Sequence, residues 1–148
     1  MRLCIGSDHG GFEFKTNILL FLNQQYPSYS LKDMGTYTKE SCDYPDFADA
    51  VVQDLLSKRS EMGILICGTG IGMSIQANRY KGIRAALVHD IFTAENAKKH
   101  NNANILCLGA RVLSQELAFS LIATWLNTPF EGGRHEKRIE KLDGVKFL

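Results

Sequence analysis

The feature of this sequence with the clearest chemical potential is a glycine-rich loop, Cys67-Gly68-Thr69-Gly70-Ile71-Gly72-Met73-Ser74. It follows the uninterrupted apolar run Met62 to Cys67 and precedes a predicted helix. Three glycines in five residues let the backbone approach a ligand and turn its N–H groups toward negative charge, with the positive end of the helix dipole behind them. The loop therefore predicts an anion-binding cradle.

Common nucleotide-binding and phosphatase loops have a different spacing. No Gly-Lys-Ser/Thr completes a P-loop, and the three glycines do not form G-x-G-x-x-G. A phosphatase-like cysteine loop would require arginine where Met73 stands. Nucleotide binding is therefore disfavoured.

Cys67 lies where the strand ends, at the mouth of this cradle. Unpaired N–H groups and the helix dipole favour the thiolate there, so the residue is a candidate base or nucleophile. The competing interpretation is a buried cysteine that merely ends a strand. The surrounding glycines favour the chemical role.

Two further groups of residues offer acid/base chemistry. Asp8 and His9 follow the first predicted strand, where a carboxylate and an imidazole can exchange protons with a sugar hydroxyl or bind phosphate. The alternative is that Asp8 caps the next helix and His9 is solvated. His100, followed by Asn101, ends the fourth predicted helix and is a second acid/base candidate, although His100 taken alone is better explained as a surface histidine at a helix end.

Candidate phosphate ligands are arginines. Arg111 follows the last predicted strand, and Arg134 and Arg138 are four residues apart, on one face if their segment is helical. Such a pair can grip a phosphate. A solvated charge run on a C-terminal tail is the alternative.

Composition limits the classes of function. The chain has 148 residues, 45% hydrophobic, with 17 Lys plus Arg against 16 Asp plus Glu, which fits one globular domain and neither a nucleic-acid surface nor a membrane anchor. No apolar run approaches the ~18 residues of a spanning helix, and Asp8 interrupts the first run before it could serve as a signal peptide. The four cysteines lack zinc-site spacing. We expect a cytoplasmic protein without a metal.

The elements that must position these residues alternate along the chain. The pattern predicts strands at Leu3 to Gly6, about Tyr29 to Met34, Met62 to Cys67, Arg84 to Val88 and Asn104 to Leu108. Helices are predicted at Phe12 to Gln25, in a segment with Pro45 in its first turn and an apolar face that reaches Leu56, after the glycine loop, at about Ile91 to His100 and at Gln115 to Leu126. This order specifies an α/β three-layer sandwich with right-handed crossovers, whose ligand sites lie at the carboxyl ends of the strands.

Several motifs in the same order closely resemble the type B ribose-5-phosphate isomerases. They are Ser7-Asp8-His9-x-Gly11, Asp43-Tyr44-Pro45, Cys67-Gly68-Thr69-Gly70-x-Gly72-x-Ser74, Asn78, Gly82-Ile83-Arg84, His100-Asn101, Asn104, Gly109-x-Arg111 and Glu131-Gly132-Gly133-Arg134-His135. The resemblance covers nearly the whole chain. It implies a Rossmann-like αβα sandwich with a five-stranded parallel sheet. It also implies a homodimer or homotetramer with shared active sites, to which residues from about 129 to 148 of a partner contribute.

The implied reaction interconverts D-ribose 5-phosphate and D-ribulose 5-phosphate through an enediolate, without a cofactor. By this resemblance Cys67 is the base, Thr69 helps to move the hydroxyl proton, and Asp8 and His100 open the sugar ring. The phosphate ligands would be His9, Arg111, Arg134 and Arg138. The oxyanion and substrate would be bound by Gly68, Gly70, Ile71, Gly72, Met73, Ser74, Asn101 and Tyr44. A branch of the family uses a glutamate at the position of Met73, so this chain resembles the cysteine branch.

Two alternatives remain open on the sequence. The related subunits of galactose-6-phosphate isomerase share the fold and act on a hexose phosphate, and allose 6-phosphate is a further possible substrate. A non-catalytic sugar-phosphate-binding module would use the glycine cradle without the base. Cys67 discriminates between enzyme and module, because only the enzyme requires it.

Overall fold

Strands alternate with helices throughout residues 1–144, which the computed structural model describes. The strands are β1 (Arg2–Ser7), β2 (Ser30–Asp33), β3 (Met62–Cys67), β4 (Ala85–Leu87) and β5 (Ile105–Gly109). The helices are α1 (Phe12–Gln25), α2 (Tyr44–Leu56), α3 (Ile71–Ala77), α4 (Ile91–Lys99), α5 (Gln115–Asn127) and α6 (Arg134–Asp143), and a single 3₁₀ turn, His9–Gly11, precedes α1.

The five strands form one parallel sheet in the order β2-β1-β3-β5-β4. Apolar residues of α1, α4 and α5 pack on one face of the sheet, and those of α2 and α3 pack on the other. The predicted three-layer αβα sandwich is confirmed. Its register aligns Ser7 with Ile66 and Cys67 with Gly109, so β1, β3 and β5 end together at one edge.

The helices begin where the local sequence supplies a cap or a turn. Asp90 and Thr93 form a reciprocal capping box at α4, and the Ser114 hydroxyl accepts a hydrogen bond from the N–H of Leu117 at α5. Pro45 occupies the first turn of α2, as predicted. No helix within residues 1–144 is long and apolar enough to cross a membrane.

The C-terminal segment is ordered as a helix rather than remaining an irregular tail. Arg84 holds α6 to the body of the protein with hydrogen bonds from Nη1 to both carboxylate oxygens of Asp143, at 3.1 and 3.0 Å. The condition that Arg134 and Arg138 lie on one helical face is therefore met. The end of the segment predicted to reach a partner, residues 145–148, lies outside the described residues.

Candidate active site

Three loops meet at the carboxyl edge of the sheet, following β1, β3 and β5. The N–H of Asp8 donates to the carbonyl of Ile66 at 3.2 Å, which ties the first loop to β3. The N–H of Arg111 donates to the carbonyl of Gly68 at 2.9 Å, and that of Ala110 to the carbonyl of Cys67 at 2.9 Å. Asp8, Cys67 and Arg111 are therefore brought together by backbone hydrogen bonds.

The Cys67 thiol lies against the turn that starts α3. Its side chain is buried, with the residue 5% exposed, and its Sγ accepts a hydrogen bond from the N–H of Gly70 at 3.1 Å. Gly70 has φ +77°, a conformation that residues with a Cβ rarely adopt. The left-handed turn at Gly70 therefore aims a backbone donor at the sulfur.

The first turn of α3 provides further N–H groups. Helix geometry gives the N–H groups of Gly72 and Met73 no acceptor within the helix. The Met73 side chain is fully buried in the core, so only its backbone is available to a ligand. A Cβ at Gly72 would lie 2.6 Å from the Tyr44 ring, which places that predicted substrate-binding residue directly over the turn.

The two hydroxyls of the glycine loop bond within the loop. Thr69 Oγ1 accepts from the N–H of Ile71 at 3.2 Å and remains exposed, whereas the Ser74 hydroxyl donates to the carbonyl of Ile71 at 2.8 Å. Thr69 is thus the hydroxyl that faces solvent beside Cys67. The role of Thr69 in moving a proton stays a prediction.

Asp8 and His9 are both held by backbone donors. Asp8 Oδ1 accepts from the N–H of Gly11 at 3.1 Å, so Asp8 does cap the turn at His9–Gly11 while remaining at the site. His9 Nδ1 accepts from the N–H of Cys42 at 3.2 Å. An accepting Nδ1 leaves Nε2 as the N–H donor of the neutral ring, which suits binding of a phosphate oxygen.

The Arg111 guanidinium, from the loop after β5, lies against the loops that follow β1 and β3. A Cβ built at Gly68 would lie 3.0 Å from its Nη1, and one built at Gly10 would lie 3.4 Å from its Nη2. Glycine at both positions therefore makes room for the cation. Arg111 is exposed, so its remaining N–H groups are available to an anion.

The other predicted residues lie at the opposite, amino edge of the sheet. His100 caps the end of α4, and the backbone carbonyl of Asn101 accepts from Arg84 Nε at 3.0 Å, just before β4. Asn101 and Arg84 also line a cavity of about 410 Å³ at this edge. Since β5 runs from beside Gly63 to beside Cys67, about 13 Å of strand separates the two edges.

Arg134 and Arg138 also lie at the amino edge, on the helix that packs beside His100. The His100 ring stacks on that of His135, with centroids 4.3 Å apart and planes 14° apart. Its Nε2 lies 3.9 Å from a carboxylate oxygen of Glu131. Arg134 and Arg138, exposed on α6, flank His135. The predicted site is thus divided within one chain into a carboxyl-edge half and an amino-edge half.

The sequence assigns no role to Glu131 or His135, although both belong to the family-like motif at residues 131–135. Burial lowers the pKa of His135, and the neighbouring His100 lowers it further, whereas Glu131 raises it. Their four-residue spacing was a usable signal. What the spacing did not show is that the N–H of Glu131 bonds to the carbonyl of Lys99 at 3.0 Å, which brings the pair to His100.

The fold and the glycine-loop cysteine define a class of protein, and comparison with known proteins identifies it. The family model described as ribose/galactose isomerase matches residues 3–142. The chain therefore belongs to the ribose/galactose isomerase family.

Individual relatives agree with this assignment. The chain is 37% identical over 145 residues to ribose-5-phosphate isomerase B of Escherichia coli, covering 98% of this chain and 96% of the relative. It is 40% identical to D-erythrulose-4-phosphate isomerase of Pectobacterium atrosepticum, covering 96% and 93%. The crystal structure of the ribose 5-phosphate isomerase of Thermotoga maritima superposes with a TM-score of 0.94 at 52% identity, covering 97% and 98%.

Proposed function

We propose that this protein interconverts D-ribose 5-phosphate and D-ribulose 5-phosphate. The observation that carries the proposal is the Cys67 sulfur held 3.1 Å from the N–H of Gly70, at the start of an amide-lined turn. The relatives from Escherichia coli and Thermotoga maritima, named for this substrate, match almost the full length of the chain. A base beside oxyanion donors is what aldose–ketose isomerisation requires.

The chemistry proceeds in three proton transfers around one intermediate. The Cys67 thiolate removes the proton from C2 of the open-chain aldose, the C–H electrons form the C1–C2 double bond of an enediolate, and the C1 carbonyl electrons move to O1. The N–H groups of Gly72 and Met73 stabilise the negative oxygen. Thr69 helps to pass the hydroxyl proton between the two oxygens, and the Cys67 thiol then protonates C1 to give the ketose.

The remaining site residues are assigned to opening of the sugar ring and to binding of the sugar and its phosphate. Asp8 and His100 open the furanose ring, Asn101 holds sugar hydroxyls, and Tyr44 covers the turn. His9, Arg111, Arg134 and Arg138 bind the 5-phosphate. The reaction moves protons only, so the proposal requires no metal or organic cofactor.

A homodimer with shared sites follows from the separation of the two halves. Cys67 and His100 lie at opposite edges of one sheet, so a single chain cannot present both to one pentose phosphate. A second copy can supply the amino-edge half, including the segment from residue 129 onward. Two such dimers can form a tetramer. All four cysteines are free, which fits a cytoplasmic location.

The decisive test is turnover by the Cys67→Ala variant in chelator-treated buffer. General-base catalysis contributes about 10²- to 10⁴-fold, so we expect kcat for ribose 5-phosphate to fall by that factor while binding of the sugar phosphate persists. Cys4→Ala, which removes a core thiol on β1, is the matched control. Near-normal turnover by Cys67→Ala would exclude the proposed base.

The same assay separates the alternative substrates. Galactose 6-phosphate, allose 6-phosphate and D-erythrulose 4-phosphate are offered beside ribose 5-phosphate, because one relative is named for the four-carbon substrate. Preference for any of these three would reassign the substrate and leave the base unchanged. Tight binding without turnover of any of them would favour a sugar-phosphate-binding module.

A further inference from the structure

Three potential metal ligands converge beside α4. One ligand atom from each of His100, Glu131 and His135 lies within 4.8 Å of the other two. Glu131 is central, with one carboxylate oxygen 3.9 Å from His100 Nε2 and the other 3.6 Å from His135 Nε2. The cluster lies outside the glycine loop that carries the proposed base.

His135 supplies the observation that points to a ligand. The residue is 4% exposed, and its Nε2 has no hydrogen-bond partner among residues 1–144. A buried polar nitrogen without a partner is unusual, because its lost hydration is not compensated. This nitrogen is directed toward the Glu131 carboxylate at a distance that leaves room for an ion.

The backbone holds the cluster in place from two distant segments. The N–H of Glu131 donates to the carbonyl of Lys99 at 3.0 Å, next to His100. Between Glu131 and His135 the chain turns through Gly132 and Gly133, at φ +69° and +57°. These glycines allow the carboxylate and the imidazole to face the same point.

We propose that this cluster binds a first-row divalent transition-metal ion, represented by Zn²⁺, through two imidazoles and one carboxylate. A His₂Glu set with a fourth position left to water is an established zinc arrangement, and nitrogen ligands select against Mg²⁺ and Ca²⁺. Metal–ligand bonds of about 2.0–2.2 Å draw the three atoms closer together.

Rotation of one ring is required, because two stacked imidazoles cannot both point their lone pairs at one ion. The His100 side chain is 38% exposed and can rotate, whereas His135 is fixed by burial. Arg134 and Arg138 on α6 oppose a cation electrostatically, and the charge of Glu131 offsets part of that repulsion. The affinity for the ion therefore comes from its bonds to the three ligand atoms and not from the electrostatic potential of the surrounding charges.

The consequence for activity rests on the proposed function. An ion at this site captures His100, which the proposal uses in ring opening, so the metal is a reversible inhibitor and not a cofactor. Activity is then highest after chelator treatment. Binding itself is measured without substrate, so its outcome is independent of whether the chain isomerises a pentose phosphate.

The test is titration of Zn²⁺ into chelator-treated protein by calorimetry. The parent carries Cys42→Ala and Cys67→Ala, since partly exposed or reactive thiols bind zinc on their own. We expect one ion per chain in this parent. Adding Glu131→Gln, at a side chain 45% exposed, should weaken binding more than about tenfold, the scale seen even for groups that only support a ligand.

His89→Ala in the same parent is the matched control, because it removes an exposed histidine outside the cluster. Its affinity should equal that of the parent. Loss of zinc binding in the double cysteine parent, or undiminished binding after Glu131→Gln, would overturn the proposal. In wild-type protein, Zn²⁺ should inhibit turnover and excess chelator should restore it, with Glu131→Gln at least about tenfold less sensitive.

Discussion

The cysteines of this chain differ in what surrounds each sulfur. Burial raises the pKa of Cys4 to about 11 and also raises that of Cys107, where the nearby Cys67 adds to the effect. Both therefore remain protonated thiols packed in the core. Cys67 alone among these three receives a backbone N–H at its Sγ. The sequence distinguishes Cys67 by its place at the strand end before the glycine loop, and the turn at Gly70 adds the hydrogen-bond donor.

At the same scale, Arg134 offers a test of phosphate binding. In the proposed function the exposed Arg134 cation binds the 5-phosphate equally in the ground and transition states, so we expect Arg134→Ala to raise KM with little change in kcat. A charged hydrogen bond is worth about 1.5–3 kcal/mol, which corresponds to a rise of about 10- to 100-fold in KM.

Steady-state kinetics with ribose 5-phosphate measure this effect. Arg79→Ala, which removes an exposed arginine at the end of α3, is the control for net charge. An unchanged KM for Arg134→Ala would argue against a phosphate contact, and an equal rise in Arg79→Ala would indicate only a general field effect.

At the scale of elements, the junction of β3 and α3 depends on Gly70. A Cβ there would lie 2.6 Å from Leu87 Cδ1 and 3.0 Å from the carbonyl carbon of Leu108, in addition to the strain of φ +77°. The left-handed conformation costs an L-residue about 1–2 kcal/mol, and overpacking adds about 1–3 kcal/mol. Gly70→Ala should therefore lower the free energy of unfolding by about 2–5 kcal/mol and impair turnover.

The Gly82→Ala variant separates the cost of backbone strain at positive φ from the cost of a steric clash of the added Cβ. Gly82 has φ +83°, but a Cβ there meets no atom of the described residues 1–144 within 4 Å, so the expected cost is that of the left-handed conformation, about 1–2 kcal/mol. Urea unfolding of both variants measures the difference. Equal destabilisation would contradict the close packing of the glycine loop against β4 and β5.

The buried carboxylate of Asp54 joins α2 to β2 and to the turn before β3. Burial tends to raise its pKa, but hydrogen bonds from Lys32, Ser60 and Arg59, at 2.5, 2.5 and 2.9 Å, outweigh burial and hold the pKa at about 2, below the usual 3.8. A lowered pKa in the folded state stabilises the protein above pH 3.8, by about 2 kcal/mol.

That contribution is lost as the pH falls from about 4 through 2. Asp54→Asn should lower the free energy of unfolding at neutral pH by about 2 kcal/mol or more, and its difference from wild type should shrink over this acid range. Denaturant unfolding across pH measures it, with the exposed carboxylate variant Glu40→Gln as control. A difference independent of pH would indicate a packing defect instead.

Most of the helices and strands could be predicted from the sequence because their apolar periodicity is strong. β3 has the predicted bounds, and α4 ends at Lys99, one residue before the prediction. The segment from Pro129 was not predicted as a helix outright, because α6 is polar and buries only His135. Its position depends on Arg84 and Asp143, a contact between distant residues that periodicity does not report.

For the whole molecule, the division of the site between two edges is the main result. The motifs group these residues as one predicted site, but the strand ends to which they belong differ. His100 ends a helix that precedes β5, and in a parallel sheet such a residue lies at the amino edge. The order of helices and strands thus contained the signal for this division.

Shared sites make a quantitative prediction for hybrids. When Cys67→Ala and His100→Ala chains are co-expressed in equal amounts, half of the dimers are hybrids, and one of the two sites in each hybrid combines the intact residue of each chain. We therefore expect about a quarter of wild-type activity from two nearly inactive variants. Copurification through a tag on one variant confirms that hybrids form.

Co-expression of wild type with the double variant Cys67→Ala/His100→Ala is the matched control. Every site of such a hybrid then lacks either Cys67 or His100, so activity should fall to about a quarter and not to a half. If each site lay within one chain, the first mixture would recover no activity and the second would retain half. Measured turnover in both mixtures therefore decides whether the amino-edge half of one chain completes the carboxyl-edge half of another.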